Sequence, residues 1–286
     1  MKGIYIAIGG NEDKGIGKNE MYTLEFISKG ILATIVKESG GKDAKIVVIT
    51  TASSIPVEVG QNYLDAFTKL GCSHISILDI RSKEKSEEPE VLQLIHDADC
   101  VMFSGGDQSK IVDFIGHTLL HELLQKKLAE TKFVLAGTSA GAMCMSWEMI
   151  SGGQSTEALF KGGVLMRKGM GFLPDTIIDT HFIQRGRFGR LTEAVARFPK
   201  LLGIGLSEDT ALIIRNGNDC EVIGSGMAII FDPSELQHNN VSILKDGLPV
   251  SLTNLKVNVL ADGDKYFLKE RKVQVMTMEE WDRVER

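Results

Sequence analysis

No stretch of this 286-residue chain approaches the ~18 consecutive apolar residues that a membrane span requires. The opening MKGIYIAIGGNEDK turns polar too early for the apolar region of a secretory signal. A cytoplasmic protein with no membrane partner is therefore expected. An excess of basic charge is lacking too: 32 Lys+Arg stand against 38 Asp+Glu, for a net charge of −6 and a pI near 5.6. Nucleic-acid binding needs a basic footprint, so no nucleic-acid partner is expected. The four cysteines, Cys72, Cys100, Cys144 and Cys220, share no CxxC spacing, which excludes a zinc knuckle and a disulfide framework. Each sits among apolar residues and reads as a buried thiol of a reducing compartment. Prolines number only six against thirty glycines, a balance that suggests tight turns rather than linkers.

What is present is the composition of a globular protein, 43% hydrophobic and 24% charged. The length allows one large domain or two small ones. Short apolar runs alternate with amphipathic stretches through the first two thirds. The runs are Ile4 to Ile8, Ile46 to Ile49, Ile75 to Leu78, Cys100 to Phe103 and Phe133 to Ala136. Apolar runs without polar alternation fit strands covered on both faces, as in a parallel sheet. Helices are predicted over 20–38, over 56–70 behind Pro56, and over 108–130. Strand–helix alternation implies an α/β doubly wound fold. After residue 200 the rhythm changes to short strands, with Asn216-Gly217 as a hairpin turn. We therefore expect a single domain, with a core over 1–205 and a β-rich C-terminal extension over 206–286. Lys83 to Glu90 reads as a solvated loop.

Ligands of open α/β sheets bind at the carboxyl ends of the strands. Here those ends carry Gly9 to Glu12, Thr50 to Ala52, Gly105 to Gln108 and Gly137-Thr138-Ser139-Ala140-Gly141. The last is a G-x-S-x-G between an apolar run and a helical one, the context of a nucleophile elbow. A plain glycine-rich turn is the competing reading. A nucleophilic Ser139 would need a base and an orienting acid. His181, after Ile177-Ile178-Asp179, should stand at another strand end, either as that base or as a structural histidine. His74, His96 and His238 lie at element edges. His117 and His121 have the spacing of a zinc pair, but Thr118 replaces the glutamate of H-E-x-x-H, so no metal is expected. Arg185, Arg187 and Arg190 follow His181 closely and suit bidentate carboxylate binding. Ion pairing with Asp179 or Glu193 is the alternative. Glu208-Asp209 forms a strand-end acidic pair that is either structural or a site for a cation.

Four segments carry a resemblance. They are the Gly137 to Ala142 elbow, Gly105-Gly106-Asp107-Gln108, the run Asp179-x-His181-Phe182-x-Gln184-Arg185-Gly186-Arg187-x-Gly189-Arg190, and Gly203 to Ala211. Together they resemble the cyanophycinases, serine peptidases whose family also holds the aspartyl dipeptidases. The likeness runs from Gly9-Gly10-x-Glu12-Asp13-Lys14 to Ser251 through Val257. It implies a three-layer α/β/α, mostly parallel sheet like that of the class I glutamine amidotransferases. It also implies hydrolysis by Ser139 as nucleophile, His181 as base and Glu157 as acid. The residues alone do not favour Glu157 over Asp179 or Glu148. Gly106 and Ala140 would supply the oxyanion N–H groups, and Gln108, Asp179, Arg185, Arg187 and Arg190 would line the substrate groove. The implied substrate is cyanophycin, a poly-aspartate with arginine on its side-chain carboxyls, cut to β-Asp-Arg dipeptides without a cofactor. A homodimer is implied as well. Thr180 departs from the family run, which usually has glutamine there, and keeps an aspartyl or isoaspartyl dipeptidase in view. A non-catalytic binding protein on the same fold is the remaining alternative. A glutamine amidotransferase proper needs a cysteine in the elbow, and Cys144 is at the wrong helical phase to serve.

Overall fold

A computed structural model describes residues 2–16, 24–154, 156–277 and 279 of the chain. The first half runs β1 (Ile4–Ile8), α1 (Ile31–Glu38), β2 (Ile46–Ile49), α2 (Pro56–Lys69), β3 (Ile75–Leu78), α3 (Lys83–Ser86), α4 (Pro89–Asp97), β4 (Cys100–Phe103), α5 (Gln108–Ile115), α6 (Leu119–Glu130), β5 (Val134–Thr138) and α7 (Ala140–Met143). Then follow β6 (Glu148–Gly152), β7 (Leu165–Lys168), β8 (Thr176–Asp179), α8 (Phe188–Arg197), β9 (Leu202–Leu206), β10 (Thr210–Arg215), β11 (Asp219–Gly224) and β12 (Ala228–Asp232). The last strands are β13 (His238–Asn239), β14 (Leu252–Thr253), β15 (Lys256–Leu260), β16 (Lys265–Phe267) and β17 (Lys272–Gln274).

Nine strands form the central sheet, in the order β17-β16-β11-β10-β1-β5-β4-β2-β3. Strands β1, β5, β4, β2 and β3 pair in parallel. On the other side of β1 every pairing is antiparallel. The sheet is thus parallel over five strands only, where a mostly parallel one was expected, because the last third of the chain adds its strands to the same sheet. The expected boundary at 205/206 falls inside β9, and β10 pairs directly with β1 in mid-sheet. Between β10 and β11 the Asn216-Gly217 turn has φ of 57° and 63°. Positive φ at both positions is what a tight hairpin with the right twist demands.

Four of the five apolar runs are explained by burial on both sides; the fifth, Ile75 to Leu78, is the edge strand β3, only partly buried and with Ile77 exposed, contrary to expectation. Tyr5, Ala7, Val47, Ile49, Val101 and Phe103 face one core, with residues of α4, α5 and α6. Ile6, Ile8, Ile46, Val48, Cys100 and Met102 face the other, with α1 and α2. A second, four-stranded sheet, β15-β12-β9-β8, packs α8 against it. All four cysteines are free and buried.

Three local expectations need correction. The helix predicted over 20–38 starts at Ile31; its residues 20–23 lie outside the described residues. The helix predicted over 108–130 is two helices, broken at Gly116-His117, where His117 has φ 59°. Thr118 restarts the chain as the N-cap of α6 by accepting a bond from the His121 N–H. Lys83 to Glu90 contains the one-turn α3 and the start of α4 rather than an open loop.

Candidate active site

The site lies where the carboxyl ends of the two sheets meet, and the loop after β1 ties them together. The Ser139 N–H donates to the Ile8 carbonyl at 2.9 Å, the His181 N–H to the Gly9 carbonyl at 2.8 Å, and the Asp209 N–H to the Gly10 carbonyl at 2.9 Å. Three segments distant in sequence are thereby fixed to consecutive peptides at the end of β1 and the start of the loop that follows it. The side chains converge as a result. Ser139 Oγ stands 2.9 Å from His181 Nε2, and His181 Nδ1 stands 2.6 Å from Glu208 Oε1.

A carboxylate can only accept, so Nδ1 carries the imidazole proton and Nε2 accepts from the serine hydroxyl. Glu208 is oriented in turn: its second oxygen accepts from Asn11 Nδ2 at 3.1 Å, and its N–H donates to the Gln184 side-chain oxygen at 3.1 Å. Burial lowers the His181 pKa below the usual histidine value, opposed by the Glu208 hydrogen bond and reinforced by the Arg185 charge. The shift favours the neutral ring, the state a general base requires.

The elbow is strained where its chemistry is. Ser139 has φ 52° and ψ −113°, outside the regions an L-residue ordinarily occupies. Its neighbours must be small: a Cβ on Gly141 would lie 2.3 Å from the Phe103 carbonyl oxygen. Gly10, at φ +101°, passes so close beneath His181 that a Cβ there would sit 2.4 Å from Cε1. Ala140 opens α7, so its N–H has no intrahelical acceptor. The Gly106 N–H has no hydrogen-bond partner among the described residues. Gly105 and Gly106 share with Ser139 and His181 the wall of a cleft of about 430 Å³, which Arg185 also lines.

The other expected site residues lie elsewhere. Glu157 does not meet His181. It belongs to the loop between β6 and β7 and lines a shallow depression with Thr156, Phe160 and Asp246. The acid against the histidine is Glu208. Asp179 is fully buried, and it accepts from Arg187 Nη1 at 3.1 Å and from Arg190 Nε at 2.8 Å. A groove-lining carboxylate is thus replaced by a buried ion-pair cluster, and Arg187 and Arg190 are spent within the protein. Desolvation brings Arg187 down to about 10. Gln108 donates to the Ile150 carbonyl at 2.8 Å, bracing β6 against α5. The His117–His121 pair is structural. The His117 N–H donates to His121 Nδ1 at 3.1 Å, and His121 Nε2 meets the Met170 carbonyl at 2.8 Å. Among the described residues no cluster of His, Cys, Asp and Glu could hold a metal.

Residues 24–222 match the sequence profile of Peptidase family S51. The chain belongs to peptidase family S51. Among curated relatives of this S51 peptidase is the cyanophycinase of Trichormus variabilis, 35% identical over 268 residues, covering 94% of this chain and 86% of that one. The cyanophycinase of Synechococcus elongatus is 35% identical over 273 residues, covering 96% and 81%. That of Geminocystis herdmanii is 33% identical over 261 residues, covering 91% and 92%. In fold, the S51 peptidase is similar to a crystal structure of a peptidase from an acI-B1 actinobacterium. That match has a TM-score of 0.64 at 21% identity and covers 93% of this chain and 97% of the other.

Glu208, which the sequence placed as either structural or a site for a cation, is the functional candidate whose catalytic position sequence reasoning missed. Its signal was its position after Leu202 to Leu206, at the carboxyl end of a strand. What the sequence did not reveal is that β8 and β9 are parallel neighbours, Asp179 opposite Gly205, which puts the residues after each strand side by side.

Proposed function

We propose that this S51 peptidase degrades cyanophycin to β-Asp-Arg dipeptides through an acyl-enzyme on Ser139. The observation that carries the proposal is the unbroken chain Ser139 Oγ–His181–Glu208 at 2.9 and 2.6 Å; the cyanophycinases it resembles supply the substrate class. His181 Nε2 takes the Ser139 proton as Oγ attacks a backbone carbonyl of the polymer. The Glu208 carboxylate holds the tautomer of the neutral ring and stabilises the imidazolium that forms. The Gly106 and Ala140 N–H groups receive the oxyanion, a contribution of roughly 2.7–4 kcal/mol per donor in related chemistry. The imidazolium then protonates the leaving amine, and water, deprotonated by the same nitrogen, releases the dipeptide.

Four further parts belong to this proposal. The layering is like that of the class I glutamine amidotransferases, supported by helices on both faces of the central sheet. Residues 1–286 act as one peptidase domain. The compartment is the cytoplasm, supported by four unpaired thiols. The active form is a homodimer, as in the resemblance. The test is a comparison of kcat/KM on soluble cyanophycin fragments and on α- and β-aspartyl dipeptides. Preference for the fragments is expected; turnover of the dipeptides alone would overturn the polymer assignment.

A further inference from the structure

Of the three arginines after His181, two are committed to Asp179, which leaves the cleft short of cations for the many carboxylates of the substrate. A second basic residue does line the cleft wall: Lys14, from the loop after β1. Its ammonium is held by Glu12, through Oε1 at 2.9 Å and the main-chain carbonyl at 3.2 Å, and lies 5.0 Å over the Tyr63 ring. Beyond Glu12 it has no hydrogen-bond partner among the described residues.

Glu12 is itself fixed. It is almost completely buried, accepting from the Tyr63 hydroxyl and, at 2.6 Å, from Thr138 Oγ1 immediately before the nucleophile. The Lys14 charge and these hydroxyls hold its carboxyl below the usual range despite burial. Tyr63 and Thr138 already satisfy both Glu12 oxygens, so the buried carboxylate has partners even without Lys14. A lysine clamped in this way has surrendered its rotamer freedom before any ligand arrives, which removes a cost that a mobile side chain would incur on binding.

We propose that Lys14, positioned by Glu12, is a specificity-determining cation that receives the carboxylate of the arginine branch of the substrate. This rests on the cyanophycin reading. The polymer has one main-chain carboxylate at its end but a branch carboxylate at every residue, so the branch supplies the anion that recurs beside each scissile bond. Arg185 also lines this cleft wall.

The experiment uses the intact enzyme and a synthetic two-residue fragment of the polymer in three forms: free acid, branches as argininamide, and main-chain terminus as amide. Wild type is expected to favour the free acid over the branch amide by about ten- to a hundredfold in kcat/KM, carried mainly by KM, as for one charge-assisted bond. Lys14→Met abolishes that preference and Lys14→Arg keeps most of it. Equal use of acid and branch amide by wild type overturns the proposal without any variant. So does a Lys14→Met loss that is the same on all three forms, the mark of a lysine that only neutralises Glu12. A preference lost only for the main-chain amide would overturn the assignment to the branch. If wild type releases nothing from polymer or fragment, the cyanophycin reading itself fails, and the branch assignment with it.

Discussion

Glu208→Gln removes one charge and almost no volume, and the surroundings dictate how the new amide sits. Asn11 Nδ2 donates to one carboxylate oxygen, so the amide oxygen of the glutamine turns to Asn11 and its NH2 turns to His181. That NH2 is a donor and forces Nδ1 to accept, which moves the imidazole proton to Nε2. Nε2 can then no longer accept from Ser139 Oγ, 2.9 Å away, and the imidazolium formed during attack loses its counter-charge. The corresponding acid-to-amide change in a Ser–His–Asp enzyme costs about 10⁴ in kcat. A loss of about 10³–10⁴ is expected here, equivalent to roughly 4–5.5 kcal/mol of barrier. The assay is initial velocity on soluble cyanophycin fragments, with near-UV circular dichroism to confirm the native fold. Glu157→Gln, measured alongside, is expected to stay within about twofold, since Glu157 lines a different depression. A folded Glu208→Gln enzyme within tenfold of wild type, with Glu157→Gln down a thousandfold, would refute the assignment of the acid.

Other expectations follow from the same geometry. The Arg185 charge lowers the His181 pKa, so Arg185→Ala raises it and moves the acid limb of the kcat/KM profile to higher pH; an unmoved limb, or one moved to lower pH, would show that Arg185 does not act on the ring. Asp179→Ala leaves Arg187 and Arg190 without their shared carboxylate, a loss of about 3–5 kcal/mol for a broken buried pair, or ~10 °C in Tm. A thermal shift under 2 °C would mean that the cluster does not hold this part of the fold. Thr180 is fully buried with an unpartnered hydroxyl among the described residues, so Thr180→Val should cost under about 1 kcal/mol; calorimetric loss well beyond that would reveal a partner for the hydroxyl.

The parallel half of the central sheet was readable because two-sided burial leaves an uninterrupted apolar run, as Ile46-Val47-Val48-Ile49 does. The elbow was readable because its small residues answer to close backbone approach, as Gly141 does against Phe103. The break in the helix over 108–130 was harder to see, since its apolar periodicity continues across Gly116 and only the left-handed His117 interrupts it. The ends of the long-range pairings were harder still. Its strand-end position marks Glu208 as a site candidate, but nothing local makes it the partner of His181; that choice is made by β8 and β9 lying side by side. Nor does the spacing of Arg187 and Arg190 tell whether they reach outward to a ligand or inward. The fully buried Asp179 decides that, and its burial is a property of the second sheet.

The most direct measurement is incubation of the purified enzyme with insoluble cyanophycin, followed by mass spectrometry of the soluble fraction, with Ser139→Ala as the control. Release of β-Asp-Arg by wild type and none by Ser139→Ala is the predicted result. Equal release by both, or none by wild type under conditions where it remains folded, would contradict the account.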